Sequence, residues 1–190
     1  DCYTPQELTN MDFPEKYDYA VILSAIERTV SIERSQELLL RVRELMKADG
    51  VLFLGMDNRL GIRYFCGDRD IYTGRSFDSI ENYVHAKAAD YDLFAGHSFA
   101  KAEIIELIET AGFSHHRFYS VYPDLHRPQI LFAEDHVPTE SLEIRIFPQY
   151  NYPDTVFLEE ERLYDAMVQN GLFHSMANGF WIECPLDGVY

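Results

Sequence analysis

The sequence lacks several features that would assign it to a class of protein directly. No apolar stretch approaches the ~20 residues of a membrane-spanning helix, and no signal peptide opens the chain. Basic residues are scarce, with 16 lysines and arginines against 32 aspartates and glutamates, for a formal net charge of −16. This charge repels nucleic acid and anionic membranes, and no Lys/Arg run offsets it. We therefore expect neither as a partner.

Cysteine is also sparse, and its pattern excludes a disulfide framework. Cys2, Cys66 and Cys184 are odd in number and form no CxxC pair, which favours reduced thiols and a cytoplasmic protein. The seven histidines show no metal-ligand spacing; His115 and His116, for example, are adjacent and would point to opposite sides of a strand. We expect no metal site, and the Ser, His and Asp residues do not define a hydrolase triad.

The chain does contain enough apolar material for one packed domain. Hydrophobic residues make up 47% of its 190 residues, so residues 1–190 are expected to form a single globular domain. Residues 1–16 are polar and are interrupted by Pro5 and Pro14, which predicts an irregular N-terminal segment. Since the first residue is Asp1 rather than Met, we expect a piece of a longer protein.

Local patterns predict alternating strands and helices. The apolar runs at 17–23 and 51–56 suit strands buried on both faces, and residues 33–47 between them have a helical apolar face. A second helix is predicted over 98–111, capped by Ser98 and ended by Gly112, with a strand at 116–122 after it. Short strands at 129–133 and 142–147, a helix at 159–169 and a final strand at 180–184 complete the prediction.

Two segments are long for connections between such elements. Residues 57–97 are irregular and rich in glycine and aromatic residues, which is typical of a functional loop or lid. Residues 123–178 are interpreted as an insertion before the final strand.

Three stretches, EKYDYAVILSAIE, ELLLRVRELMKADGVLFLGMDN and FAKAEIIELIETAGF, lie in register over about residues 16–122. In this order they resemble the second half of class I S-adenosylmethionine-dependent methyltransferases. The resemblance implies an α/β fold, a partial Rossmann-like, mainly parallel twisted sheet with irregular insertions and an antiparallel final strand. The stretches NRLGIRYFCG, YTG, YPDLHRP and ANGFW are similar to the methyltransferase region of bacterial proteins linked to lipopolysaccharide or capsule assembly.

The resemblance implies S-adenosylmethionine as the cofactor of the complete protein. The glycine-rich loop of the family's first half is missing, since no GxGxxG occurs in the sequence, and we expect this chain alone to bind no cofactor. The implied function is the acceptor side of a methyltransferase of lipopolysaccharide or other envelope polysaccharide biosynthesis, inactive alone, with a sugar or glycan-precursor acceptor. The alternative is a non-catalytic binding or dimerisation module.

Candidate site residues follow the predicted strands, because ligands of α/β sheets bind beyond the carboxyl ends of the strands. We assign cofactor contacts to Ser24, Ala25 and Glu27, with a cap or salt bridge as the structural alternative for Glu27. The catalytic candidates are Asp57, Asn58 and Tyr64. They would orient an acceptor and take its proton. For Asn58, the alternative is that its side chain stabilises a turn.

Five residues are candidates for binding the acceptor. Arg59 and Arg63 would meet an anionic acceptor, or else pair with the many carboxylates. Tyr72 and Tyr122 would stack on a sugar ring, or else fill the core. Asp124 completes this set.

The first strand also predicts self-association. Without the first half of the family's fold, Tyr19 to Leu23 would form an edge of the sheet, apolar on both faces and without a charge to block pairing. A homodimer through this strand is expected unless another segment covers it.

Overall fold

A five-stranded sheet organises the part of the chain that the computed structural model describes, residues 13, 15–29, 31–89 and 96–188. The strands are β1 Tyr17–Leu23, β2 Met46–Asp57, β3 Arg117–Tyr122, β4 Ile130–Ala133 and β5 Gly179–Pro185. Their order across the sheet is β1-β2-β5-β3-β4. Cys2, Pro5 and Pro14, and with them most of the predicted N-terminal segment, lie outside the described residues.

The direction of the strands confirms the α/β class and the antiparallel final strand. β1 pairs with β2 in parallel, whereas β5 pairs antiparallel with both β2 and β3. β1, β2 and β3 therefore run in the same direction, as expected for a mainly parallel sheet. Because β5 lies between β2 and β3, only β1 and β2 are hydrogen-bonded in parallel, and β4 adds a further antiparallel pair.

Five α-helices and three short 3₁₀ helices connect the strands of the described chain. The α-helices are α1 Ile32–Leu45, α2 Ile62–Phe65, α3 Val84–Ala89, α4 Lys101–Thr110 and α5 Tyr164–Gln169. The 3₁₀ helices are Ile26–Arg28, Pro153–Thr155 and Glu160–Arg162. None of the helices among the described residues has the length and apolar character to cross a bilayer.

The structure corrects three predictions of local structure. Helix α4 is not capped by Ser98; the Glu103 side chain instead accepts a 2.6 Å hydrogen bond from the Ala100 backbone N–H. Residues 142–147 form a turn rather than a strand, because the N–H groups of residues 145 and 146 donate to the carbonyl of Leu142. The helix predicted at 159–169 is broken at Leu163, whose N–H donates to Glu160, three residues back.

The two faces of the sheet have different surroundings. One face presents buried side chains such as Leu52, Leu54 and Ile182, and both α1 and α4 cover it. The opposite face is open at β1, where the side chains of Tyr19 and Val21 are 68% and 64% exposed. The prediction that β1 is buried on both faces is therefore wrong for this chain, because β1 is an edge strand and both long helices lie on the same side.

Candidate functional site

The carboxyl ends of β1 and β2 lie side by side and hold several of the predicted site residues. Ser24 follows β1, and its backbone N–H donates to the carbonyl of Gly55 in β2 at 3.0 Å. Ser24 has a φ of 50°, a left-handed conformation that is strained for a residue other than glycine. Its Oγ lies 3.1 Å from Nε2 of His126, a residue that joins the site from 102 positions away. Ala25, partly buried, leads into the 3₁₀ helix Ile26–Arg28.

Glu27 is fully buried in that short 3₁₀ helix. Its Oε1 accepts a 2.8 Å hydrogen bond from the backbone N–H of Asp57, whereas its Oε2 has no hydrogen-bond partner among the described residues. Burial, followed by the charge of Asp57, raises the pKa of Glu27 to about 8. Glu27 therefore keeps a proton at neutral pH in most molecules. It forms no salt bridge with a described residue, whereas its bond to the Asp57 N–H is a backbone contact of the capping kind.

Asp57 is the last residue of β2 and is 5% exposed. Burial raises the pKa of its carboxyl to about 6, with Arg63 lowering it and Asp124 raising it. No described group donates a hydrogen bond to this carboxyl. Two neighbouring acids with raised pKa values, one at the end of a strand, are an arrangement found at sites of proton transfer.

Tyr72 completes this arrangement from the 57–97 segment. Its hydroxyl is buried and finds no hydrogen-bond partner in the described part of the chain. Burial together with the charge of Glu27 raises the pKa of Tyr72 well above its usual value. Gly96 lets this segment lie close to the backbone of Glu27. A Cβ at position 96 would overlap the carbonyl oxygen of Glu27 and lie 2.8 Å from Tyr72 Cε1. We call Glu27, Asp57 and Tyr72 the acid pocket.

The two predicted acceptor-binding arginines both have carboxylate partners. Arg63 is buried and contacts Asp68 through Nε at 2.9 Å and Asp124 through Nη1 at 2.6 Å. Burial by itself would raise the pKa of Asp124, but the hydrogen bond and the charge of Arg63 lower it below its usual value. Arg59 makes two bonds to Glu103, at 2.8 and 3.0 Å. Both side chains thus stabilise the fold, and an anionic acceptor for them stays a prediction.

The other predicted residues are built into the packing. The Asn58 amide donates to the carbonyls of residues 175 and 177 and accepts from the Leu60 N–H, so it holds the chain after β2 in place. Tyr64 is buried, and burial raises its pKa. Tyr122 donates to the carbonyl of Phe173 at 2.7 Å and stacks on its ring, so it belongs to the core. These contacts do not test the predicted catalytic roles of Asn58 and Tyr64 or the predicted binding role of Tyr122.

The structure also reveals a polar centre that the sequence reasoning missed. Asn178 accepts from the Arg63 N–H and donates to the carbonyl of Pro123 and to Oε1 of Glu160. Burial raises the pKa of Glu160 to about 7, and its Oε2 has no partner. Asn178 lies in the quoted ANGFW stretch, but nothing in the local pattern indicated its partners.

No protein-family model and no curated protein matches the sequence. Among solved structures, the chain is similar to a SAM-dependent methyltransferase of Thermotoga maritima, a possible histamine N-methyltransferase, with 13% identity and a TM-score of 0.44 over 92% of this chain and 59% of that one. A putative O-methyltransferase of Nostoc punctiforme has 15% identity and a TM-score of 0.39, over 61% of this chain and 31% of its own.

A third similar structure is the O-methyltransferase NcsB1 of neocarzinostatin biosynthesis, solved with S-adenosyl-L-homocysteine and 1,4-dihydroxy-2-naphthoic acid. It has 16% identity and a TM-score of 0.35, over 60% of this chain and 28% of its own. The chain thus spans 59% of the first structure and about a third of the other two. At this identity and TM-score the similarities carry no argument about activity, and the fold class rests on the strand order.

Proposed function

We propose that this chain is the acceptor side of an S-adenosylmethionine-dependent methyltransferase of lipopolysaccharide or other envelope polysaccharide biosynthesis. The observation that supports it is the acid pocket at the carboxyl ends of β1 and β2. Asp57, with a pKa of about 6, is poised to take a proton from an acceptor near neutral pH. S-adenosylmethionine, when bound, supplies the methyl group.

Each residue near the pocket has a role in this proposal. Glu27 holds the Asp57 backbone in place through its 2.8 Å hydrogen bond. Ser24 and Ala25 lie toward the cofactor, and Asn58 and Tyr64 hold the chain that leaves β2. The sugar or glycan-precursor acceptor lies against Tyr72. Such alignment of two reactants is the main requirement of methyl transfer.

The residues of this chain could form only part of a binding site for S-adenosylmethionine. Glu27 Oε2 and the Tyr72 hydroxyl are free to bond polar groups of a ligand. The chain has no GxGxxG turn, which in dinucleotide-binding folds allows close approach of the backbone. We therefore propose that another polypeptide segment completes the cofactor site.

Two measurements test the proposal. Isothermal titration of this chain with S-adenosylmethionine should show no binding tighter than about millimolar, and a Kd in the micromolar range or below would contradict the need for a completing segment. The product of the complete reading frame should transfer labelled methyl groups to an envelope-glycan precursor. Asp57→Asn should reduce kcat by about 100-fold or more, while Glu143→Gln, which removes an exposed acid elsewhere, should not. An unaffected Asp57→Asn enzyme would remove the acid pocket from the mechanism.

The second candidate function is a non-catalytic module that dimerises through β1, and the exposed edge of the sheet favours it. Among the described residues, β1 pairs only with β2, so its other edge has no strand partner there. A groove of about 440 Å³ runs between β1 and α1, lined by apolar residues that include Tyr19, Val21, Leu38 and Val42. A second copy offers the same strand, and twofold pairing would cover both edges at once.

A further inference from the structure

The acid pocket has more negative groups than positive groups to balance them. Besides Glu27 and Asp57, Asp70 and Asp124 are close enough to raise the pKa of Asp57. Within the described chain, no lysine, arginine or histidine forms an ion pair with Glu27 or Asp57. Buried acids are normally either paired with a cation or kept neutral by a proton, as Glu27 is. Asp57 and its acidic neighbours are therefore the groups that lack a counter-charge.

The nearby cations cannot supply the missing charge. The Arg63 guanidinium, which lowers the pKa of Asp57, is already bonded to Asp68 and Asp124. Arg28, which lowers the pKa of Glu27, has an exposed side chain. His126 also faces solvent, and its Nε2 lies against Ser24. The pocket is therefore complementary to a cation that comes from outside the described chain.

The unpaired atoms indicate what kind of cation fits. Glu27 Oε2 and the Tyr72 hydroxyl are both buried, and neither has a hydrogen-bond partner among the described residues. Glu27 is also fully shielded from solvent. The carboxyl of Asp57, a residue that is 5% exposed, is a third acceptor, and no described group donates to it. An ammonium group has three N–H donors for these three oxygens, whereas a hydroxyl has only one.

We propose that the acid pocket binds a protonated primary amine, held by Glu27, Asp57 and Tyr72. Where the pocket serves the methyl transfer proposed above, and this part rests on that proposal, the acceptor is an amino sugar and the methylated atom is its nitrogen. The bound ammonium has no free electron pair, so the ionised Asp57 carboxyl would first take one of its N–H protons. The nitrogen would then bond the methyl carbon as the bond from that carbon to the sulfonium sulfur breaks, which would leave S-adenosylhomocysteine. A neutral sugar would leave Glu27 protonated and the ionised Asp57 carboxyl without a counter-charge.

Binding of an amine should release protons. A positive charge beside a carboxyl favours its ionised form, so a bound ammonium lowers the pKa values of Glu27 and Asp57. Near neutral pH Glu27 holds a proton, because its pKa is about 8. That proton passes to the buffer on binding. A neutral sugar of the same shape has no such effect.

Calorimetric titration of the chain with glucosamine and with glucose, near pH 7 in two buffers of different ionisation enthalpy, tests the proposal. Glucosamine should bind at least about tenfold more tightly than glucose and release up to about one proton. Glu27→Gln and Asp57→Asn should remove most of this preference, and Tyr72→Phe, which deletes only the hydroxyl, should weaken it. Glu143→Gln, the exposed-acid control, should retain it.

Three results would overturn the inference. They are equal binding of the two sugars, no glucosamine binding, or a preference that survives both carboxyl substitutions and therefore arises from the general acidity of the surface. Mass spectrometry of the methylated product separates this inference from the proposed function. An O-methyl product would reject the amine acceptor and keep the methyltransferase. Specific amine binding without any methyl transfer would keep the amine site and reject the methyltransferase.

Discussion

Oε1 of Glu27 lies 2.8 Å from the backbone nitrogen of Asp57, and this hydrogen bond joins the turn after β1 to the last residue of β2. The bond satisfies one oxygen of a fully buried carboxyl and leaves Oε2 without a partner. This hydrogen bond lowers the pKa of Glu27, but burial, followed by the charge of Asp57, raises it to about 8, so the carboxyl keeps its proton at neutral pH. Burial thus sets the protonation of the acid pocket, and this contact joins its two acids.

Stability should fall as the pH rises, and Glu27→Gln should reduce that fall. The pKa of Glu27 is raised from 4.5 to about 8, so between these values the folded protein holds a proton that the unfolded chain has lost. The stabilisation is complete below about pH 4.5 and is lost as the pH rises through 8, on the order of 5 kcal/mol in total. Glu160, with a pKa of about 7, acts in the same direction. Urea unfolding at several pH values measures the slope, and an unchanged slope in the variant would refute the prediction.

Arg63→Ala should destabilise the fold far more than a surface arginine does. Its removal leaves Asp68, which is fully buried, without its cation, and breaking such a pair costs about 3–5 kcal/mol. Arg145, whose pair with Glu140 is exposed, is the matched control and should cost less than about 1 kcal/mol. Thermal and urea denaturation measure both. Equal losses would mean that the Arg63 network is not a structural centre.

Gly96→Ala should cost more than Gly171→Ala. Both glycines have a positive φ, of 147° and 69°, so both alanines carry backbone strain. The strain is roughly 1–2 kcal/mol at Gly171, in the left-handed helical region, and larger at Gly96, whose φ lies outside that region. Only at Gly96 would the added Cβ also overlap the Glu27 carbonyl oxygen, since nothing lies within 4 Å at Gly171. The difference between the two free energies of unfolding measures the larger strain and this close approach together. A difference of zero would show that the segment carrying Tyr72 moves aside without cost.

The chain should dimerise at tens of micromolar, and Val21→Lys should abolish the dimer. Each Val or Leu side chain buried at the interface contributes about 1.5–3 kcal/mol, and a lysine on an edge strand opposes pairing. Ile144→Lys is the control, because Ile144 is 77% exposed and lies outside the sheet. Sedimentation equilibrium should find the wild type and the control dimeric. A monomeric wild type would mean that β1 is covered otherwise, and the dimer proposal would be dropped.

The sequence was a good guide to elements that depend on local pattern. The predicted strands at 17–23, 51–56 and 180–184 and the helix at 33–47 correspond to β1, β2, β5 and α1. Their apolar periodicity and end signals are properties of a few consecutive residues. The strand predicted at 142–147 is wrong, because hydrogen bonds to the carbonyl of Leu142 form a turn there. The helix predicted at 159–169 is confirmed in part, as the 3₁₀ helix Glu160–Arg162 and as α5, with a break at Leu163.

The positions of candidate site residues could be read from the sequence, but their surroundings could not. Glu27 and Asp57 were located because each follows an apolar run that ends a strand. The contact of Ser24 with His126 joins residues 102 positions apart, and Arg63 meets Asp124 across 61 positions. No local pattern reports such distances.

The sequence alone therefore determined the strands, the main helices, the acidity of the chain and which residues end β1 and β2, since each is a property of neighbouring residues. Only the tertiary structure decided that Glu27 is buried with an unpaired oxygen, that both predicted arginines are neutralised, and that β1 lies open along one face. The physical reason is that burial and ion pairing depend on which distant segments meet, and that depends on the packing of the whole chain.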